Sequence, residues 1–143
     1  MSSRGRNAAD RIHSASIHLL RRVREVDGAA MGISPARASA LSVLVFGGAR
    51  SLTELAAAEQ VTSATMSKLV TGMEADGLAR RYPDVNDARA IRIEATAKGR
   101  RTLERGRERR LDLLEELLAD ASEAEIAAVE TAASVVERAI RSA

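Results

Sequence analysis

Short hydroxyl side chains and a single lysine share one face of a helix predicted over about residues 63–76. At 100° per residue, apolar side chains fall on one side of this helix and small or polar ones on the other. The apolar set is Met66, Leu69, Val70 and Met73, and the opposite set is Ala64, Ser67, Lys68 and Thr71. Such a face fits closely into the major groove of DNA, where it can hydrogen-bond base edges and phosphates.

Ser63 and Thr65, near the start of this helix, are further candidates for DNA contact, although capping or packing explains each equally well. The alternative for the whole face is an ordinary solvent-exposed helix. Such helices normally carry Glu and Arg on the exposed side, which favours the DNA-binding interpretation.

Asp87 and Arg89 lie two residues apart in a turn-rich segment between two β-favouring runs, so a hairpin is predicted around them. There the Asp87 carboxylate could hold the Arg89 guanidinium while this side chain enters a minor groove, since narrow A·T tracts attract arginine. The alternative is a local salt bridge without DNA contact.

Positive charge is concentrated in the same part of the chain. The net charge is only +2, yet residues 62–110 contain 12 basic and 7 acidic side chains, and residues 111–143 contain 2 and 8. This distribution suits a surface that neutralises phosphates, although any one run of charges could simply be a solvated helix face. Arg80, Arg81 and Arg92 beside the hairpin turn are candidate phosphate partners, but side chains alternate along a strand, so some must point elsewhere.

The elements that hold these groups are outlined by periodicity and capping signals. Residues 10–26 repeat apolar side chains at helical spacing and predict one long amphipathic helix. Ser34-Pro35 begins a second helix that stops at Gly47-Gly48. Leu52 is expected in a short strand of the hairpin sheet, and Thr53 is expected to cap a third helix.

Thr62 or Ser63 then caps the DNA-facing helix, and Thr96 caps a long helix that runs to about residue 119. Ser122 and Glu125 have the spacing of a capping box and open a last helix. Two short helices, a hairpin and a further helix, in this order, predict a winged helix-turn-helix. The terminal helices have more apolar surface than one small protomer covers, which favours a dimer over internal three-helix packing.

Several segments together resemble the MarR family (multiple antibiotic resistance regulators) of bacterial transcription factors. They are Leu55-Ala56, Thr65 to Val70, Gly77-Leu78, Asp87-Ala88-Arg89, and Thr96 to Gly99. Gln60 stands where the family usually has Gly, Glu59 where it has an apolar residue, and Gly72 where it has a long basic or polar one.

The resemblance implies a mainly α fold with a small β wing, a winged helix-turn-helix with N- and C-terminal dimerisation helices. The expected boundaries are a flexible N-terminus (1–9), a dimerisation helix (10–32), a DNA-binding region (33–99) with recognition helix at about 63–76 and wing at about 78–96, and the long and C-terminal dimerisation helices (97–143). It further implies a homodimer that binds double-stranded DNA at a pseudo-palindromic operator, usually as a repressor, and that a small anionic or aromatic effector can release. His13 and His18 are candidates for lining the effector pocket, with a surface position as the alternative.

Catalysis and cofactor binding are not expected. His13 and His18 are five residues apart on one helix and so about 140° apart around it, which does not suit a shared metal. No phosphate loop, nucleophile elbow or HExxH motif is present, and the absence of Cys excludes thiol chemistry. With no membrane-spanning or signal segment expected, the protein is expected in the cytoplasm. The alternative functions are an architectural protein that binds DNA without sequence choice, and a helical protein-interaction module.

Overall fold

The computed structural model describes residues 2–143, which form six helices and a small antiparallel sheet of three strands. The helices are α1 (Ser3–Met31), α2 (Pro35–Gly47), α3 (Leu52–Ala58), α4 (Ser63–Ala75), α5 (Ala97–Leu117) and α6 (Glu123–Arg141). The strands are β1 (Arg50–Ser51), β2 (Ala79–Pro83) and β3 (Ile91–Ala95). The expectation of a mainly α fold with a small β wing is confirmed.

Helix α1 is longer than the periodicity predicted. The side chain of Ser2 accepts a hydrogen bond from the backbone N–H of Gly5 at 3.2 Å and caps the helix, which therefore begins at Ser3, seven residues before the expected start at residue 10. Residues 3–9, predicted as a flexible N-terminus, are therefore helical. The helix ends at Gly32, whose φ of 64° is readily adopted only by glycine.

Local capping signals locate the other helix starts closely. Ser34 with Pro35 begins α2, and Thr62 rather than Ser63 caps α4. The expected cap of α3 was wrong: Ser51, not Thr53, accepts from the N–H of Glu54 at 3.1 Å, while the Glu54 carboxylate accepts from the N–H of Ser51 at 2.9 Å. Because this capping box starts the helix at Leu52, that residue is not in the strand, as had been expected.

The turn between α3 and α4 is made without glycine. Gln60 has a φ of 55°, the only positive φ of a non-glycine residue in the described chain. Its N–H donates to the carbonyl of Ala57 at 3.2 Å, and the N–H of Val61 donates to that of Ala56 at 3.0 Å. The left-handed conformation costs about 1–2 kcal/mol for a residue with a Cβ, which the two hydrogen bonds help to offset.

The sheet has the order β1-β3-β2, with all pairs antiparallel. Arg81 lies opposite Ile93, and Arg80 lies opposite Glu94. Since Ile93 is fully buried, Arg81 is on the inner face of the sheet and Arg80 on the outer face. Helices α2, α3 and α4 supply most of the core beneath the sheet, through Leu41, Leu44, Leu55, Met66, Val70 and Met73.

Helix α5 approaches the wing through Gly99. A Cβ at this position would collide with the carbonyl oxygen of Leu78 and would lie 3.0 Å from the Leu41 Cδ1 atom. Thr96 secures the same junction, because its hydroxyl donates to the carbonyl of Gly77 at 2.5 Å and accepts from the N–H of Gly99 at 3.1 Å. Glycine is therefore required here by close approach of the backbone.

The chain divides into two compact units, residues 1–110 and residues 111–143. In the second unit, the predicted capping box at Ser122 and Glu125 is confirmed as the start of α6. None of the side chains of α6 is buried.

Candidate nucleic-acid interface

Helix α4 has the two faces that its sequence predicts. Met66, Val70 and Met73 are fully buried, whereas Lys68 is exposed, as are Ala64 and the side chain of Thr71. Ser67 is half-buried at the edge of this outer face. The outer face therefore combines one exposed cation with small side chains that leave the helix backbone accessible.

Two hydroxyls of this face have partners within the helix. Thr71 donates to the carbonyl of Ser67 at 2.9 Å. The N–H of Thr65 donates to the Thr62 side chain at 3.1 Å, and the two threonine hydroxyls lie 3.0 Å apart. Ser63 and Lys68 have no ion pair or side-chain hydrogen bond within the described chain. Lys68 is accordingly the residue of α4 whose polar group is most available to a ligand.

Arg81 is held against α4. Its guanidinium pairs with the Glu74 carboxylate, and its Nη2 donates to the carbonyl of Ser67 at 3.2 Å, with the hydroxyls of Ser67 and Thr71 3.4 to 3.5 Å away. The Arg81 side chain is 29% exposed. Strand β2 and α4 are thus joined by an internal charged network, and a contact of Arg81 with a phosphate stays a prediction.

The other two strand arginines differ in their availability. Arg80 pairs with Glu94 across the sheet and lies over the Tyr82 ring, but its side chain is 66% exposed. Arg92 donates to the carbonyl of Ala49 at 2.7 Å and is near two carboxylates, Glu54 at 3.6 Å and Asp84 at 3.7 Å. Arg92 therefore ties the wing to α3, whereas Arg80 could still reach a phosphate.

The wing tip is built on aspartates that bind backbone groups. Asp84 accepts from the N–H of Asn86 at 2.8 Å, and Asp87 accepts from the N–H of Arg89 at 3.0 Å. The expected contact of Asp87 with the Arg89 guanidinium is thus replaced by a contact with the Arg89 backbone. Among the described residues, the Arg89 side chain has no ion pair, so its cation projects from an ordered turn.

One basic residue at the far end of α4 was missed by the sequence analysis. The Nη1 atom of Arg37, from α2, lies 2.5 Å from the Asp76 carboxylate, and its guanidinium crosses over Gly72. Lys98 donates to the backbone carbonyl of Asp76 at 2.7 Å. Arg37 and Asp76 are 39 residues apart, so no local pattern indicates this pairing.

A cleft of about 430 Å³ lies within the first unit. Apolar side chains of α1, α2 and α5 line most of it, with Arg24, Arg100, Arg107 and Arg110 among the polar ones. Arg110 pairs with Asp27 at 2.6 Å, which joins α5 to α1 at this cleft. His13 and His18 are exposed on α1 and do not line this cleft, and their place in an effector pocket stays a prediction.

Two further findings concern metals and membranes. In residues 2–143, no group of three or more His, Asp or Glu side chains is arranged to hold a metal ion. No single helix of this range is both long and apolar enough to cross a bilayer; only α1 and α2 together, which are bent by 82° at their junction, meet the criteria of length and composition.

Residues 31–90 match the sequence profile of the MarR family. No curated protein matches the chain in sequence. Among solved structures, a MarR family protein from Bacillus stearothermophilus is 26% identical, with 99% of each chain covered and a TM-score of 0.80. Transcriptional regulator Tm0710 from Thermotoga maritima is 24% identical, with 92% of this chain and 95% of that chain covered and a TM-score of 0.81.

A mutant of MepR from S. aureus, bound to an oligodeoxyribonucleotide, shares the fold at 19% identity, with 93% of this chain and 97% of that chain covered and a TM-score of 0.73. The match to the family profile covers the helix-turn-helix and most of the wing described above, and the likeness of fold extends over almost the whole chain. Residues 31–90 therefore carry the MarR family pattern, and the chain as a whole has the winged-helix fold of the MarR family protein from Bacillus stearothermophilus.

Proposed function

We propose that this protein is a sequence-specific DNA-binding regulator that acts in the cytoplasm as a homodimer. In this proposal it represses transcription from a pseudo-palindromic operator, and a small anionic or aromatic effector releases it. Helix α4 enters the major groove, and the wing follows the adjacent minor groove.

The observation that carries the proposal is the pair of unpaired cations on two rigid elements. Lys68 projects from the outer face of α4, and Arg89 from a wing tip whose backbone is held by Asp87. Small residues beside Lys68 allow α4 to approach base edges closely. The Arg81 network fixes the wing to α4, so the two cations meet DNA with a defined separation.

Uncovered apolar side chains support the homodimer. In α1, Ile12, Ile17 and Leu20 are each about half exposed, and in α6 Val129, Val135 and Ile140 are at least 45% exposed. Soluble proteins commonly cover apolar patches of this kind with a partner. Two copies of α4 related by a two-fold axis would read half-sites about one helical turn of DNA apart.

The cleft between α1, α2 and α5 supports release by an effector. Its apolar lining suits an aromatic ring, while its arginines suit a carboxylate or phenolate. Arg110 of α5 and Asp27 of α1 form an ion pair of 2.6 Å at the cleft. An anion that displaces Asp27 from Arg110 would therefore change the packing of α5 against α1.

The main experiment is enrichment of duplexes from a random DNA pool by the full-length protein, followed by a salt titration of the selected and random duplexes. We expect the selected duplex to bind at least about 1,000-fold more tightly at physiological salt. Equal affinity for both duplexes would favour the architectural role, and no binding to either would favour the protein-interaction module.

Lys68→Ala tests whether the outer face of α4 contacts DNA. The variant should bind the selected duplex more weakly and melt within about 1 °C of wild type, because exposed surface residues contribute little to folding. Arg138→Ala, on α6, is the matched control that removes one exposed cation outside the proposed DNA-contacting face, and its dimer mass in sedimentation must equal that of wild type. Equal affinity of Lys68→Ala and wild type would exclude the outer face of α4 as the DNA-reading surface.

The dimer and the effector have separate tests. Sedimentation at micromolar concentration should give twice the chain mass of 15.3 kDa; a monomer mass with retained helicity would remove the dimer. Sodium benzoate, as a plain aromatic carboxylate, should raise the melting temperature of wild type more than that of Arg110→Ala. An equal rise in both proteins would show that Arg110 takes no part in binding the anion.

A further inference from the structure

Gly72 leaves an empty position on the outer side of α4, and an arginine from another helix occupies it. A Cβ built on Gly72 would collide with the Nη2 atom of Arg37 and would lie 2.8 Å from its Cζ. Gly72 is four residues after Lys68, so the two positions follow the same line along α4, one turn apart. The Arg37 guanidinium thus stands where a side chain of residue 72 would stand.

The guanidinium retains hydrogen-bonding capacity in this place. Its partner within residues 2–143 is Asp76, through Nη1 at 2.5 Å, and its side chain is 33% exposed. An arginine has five N–H donors in a planar fork, so a single carboxylate leaves several of them for another acceptor. Asp76 is itself about half exposed and holds the guanidinium without burying it.

We propose that Arg37 is a DNA-contacting residue supplied by α2, which donates to a backbone phosphate beside the C-terminal half of α4. The proposal rests on the proposed function, because it assumes that the Lys68 face of α4 lies in a groove. Lys68 and Arg37 would then contact DNA at two places that are one turn of α4 apart. Asp76 would orient the Arg37 guanidinium in the free protein. The simpler alternative is a structural clamp between α2 and the C-terminal end of α4, where a cation is also favoured by the helix dipole.

The test uses the full-length protein and a fluorescein-labelled 30-bp duplex of random sequence, whose binding depends on phosphate contacts. Affinity is measured by anisotropy over a range of salt concentrations. For Arg37→Ala, the slope of log affinity against log salt should become shallower by about 1 per protomer. Arg138→Ala, which removes the same charge from α6, should keep the wild-type slope.

Gly72→Ala is expected to move the Arg37 guanidinium without removing its charge. Alanine favours the helix, so the melting temperature of the Gly72→Ala protein should not fall. The alanine Cβ must nevertheless push the Arg37 guanidinium aside. We expect weaker binding than wild type, and no further loss when Gly72→Ala is added to Arg37→Ala, because nothing is left to displace. Asp76→Asn keeps Arg37 and removes a nearby negative charge, so it should bind the duplex at least as tightly as wild type.

The outcomes are distinguishable. A wild-type slope for Arg37→Ala, with the wild-type protein binding the duplex, would overturn the contact of Arg37 and leave the proposed function intact. Failure of the wild-type protein to bind any duplex would overturn both. If Arg37→Ala does not fold, Gly72→Ala decides: weakened binding with unchanged melting supports the contact, and unchanged binding overturns it.

Discussion

Replacing Arg81 by alanine should weaken both the fold and the proposed DNA binding, because this side chain joins strand β2 to α4. The substitution removes the ion pair with Glu74 and the 3.2 Å hydrogen bond to the carbonyl of Ser67, and it leaves the Glu74 carboxylate without its cation. Hydrogen bonds to charged groups contribute about 1.5–3 kcal/mol each when well buried. Since Arg81 and Glu74 are about one-third exposed, the net loss is smaller, about 1–3 kcal/mol in total.

For a domain of this size, such a loss lowers the melting temperature by about 4 to 12 °C, which circular dichroism measures directly. Arg81→Lys should recover part of it, because an ammonium can face Glu74 but cannot also span to the carbonyl of Ser67. Arg80→Ala is the matched control. Its side chain is 66% exposed and on the outer face of the sheet, so the change should cost less than about 0.5 kcal/mol.

DNA binding distinguishes this internal role from a direct phosphate contact. If Arg81 only positions the wing, Arg81→Ala should weaken binding to the selected duplex with little change in its salt dependence. A melting temperature equal to wild type, together with a salt slope that is shallower by about 1, would refute the reasoning and make Arg81 a phosphate partner.

Three further predictions concern the wing, the α5 junction and α6. Arg89→Ala should cost about 1–3 kcal/mol of operator binding, and Arg89→Lys should restore only part of it; full restoration in an anisotropy assay would make this residue a simple phosphate counter-charge. Gly99→Ala should destabilise the protein by about 1–3 kcal/mol in denaturant unfolding, because the new Cβ meets the rigid backbone of Leu78, and an unchanged midpoint would show that α5 can shift freely. The pKa of Glu125 is lowered, mainly by the hydrogen bond from the Ser122 backbone and to a lesser extent by that from the Ser122 side chain. The ionised Glu125 therefore stabilises the fold at pH values above the ordinary glutamate pKa, and this stabilisation is lost as the pH falls through the lowered pKa of Glu125. Thermal melting between neutral pH and about pH 3 should therefore decline more for wild type than for Glu125→Gln, and parallel curves would exclude this contribution.

The sequence alone was sufficient for the order of elements and for the inner and outer faces of α4. Capping by Ser34 and Ser122 depends on hydrogen bonds between residues three apart, so local spacing contains the necessary information. The split between Met66 and Lys68 follows from helical periodicity in the same way. The predicted start of α3 was wrong because Ser51 and Thr53 are both residue types that cap helices. The hydrogen bond from the Ser51 N–H to the Glu54 carboxylate favours Ser51 as the cap.

Only the tertiary structure decided which basic side chains remain available for a ligand. Arg81, Arg37 and Lys68 all carry a positive charge. Arg81, however, is paired with Glu74 on the inner face of the sheet, and Arg37 lies over Gly72, a residue far from Arg37 in sequence. These contacts depend on the pairing of distant segments, and a guanidinium at the end of a long side chain can meet many acceptors. Composition and spacing therefore predict that a cation is near the site, whereas packing determines whether it binds a neighbour within the fold or remains available to bind a phosphate.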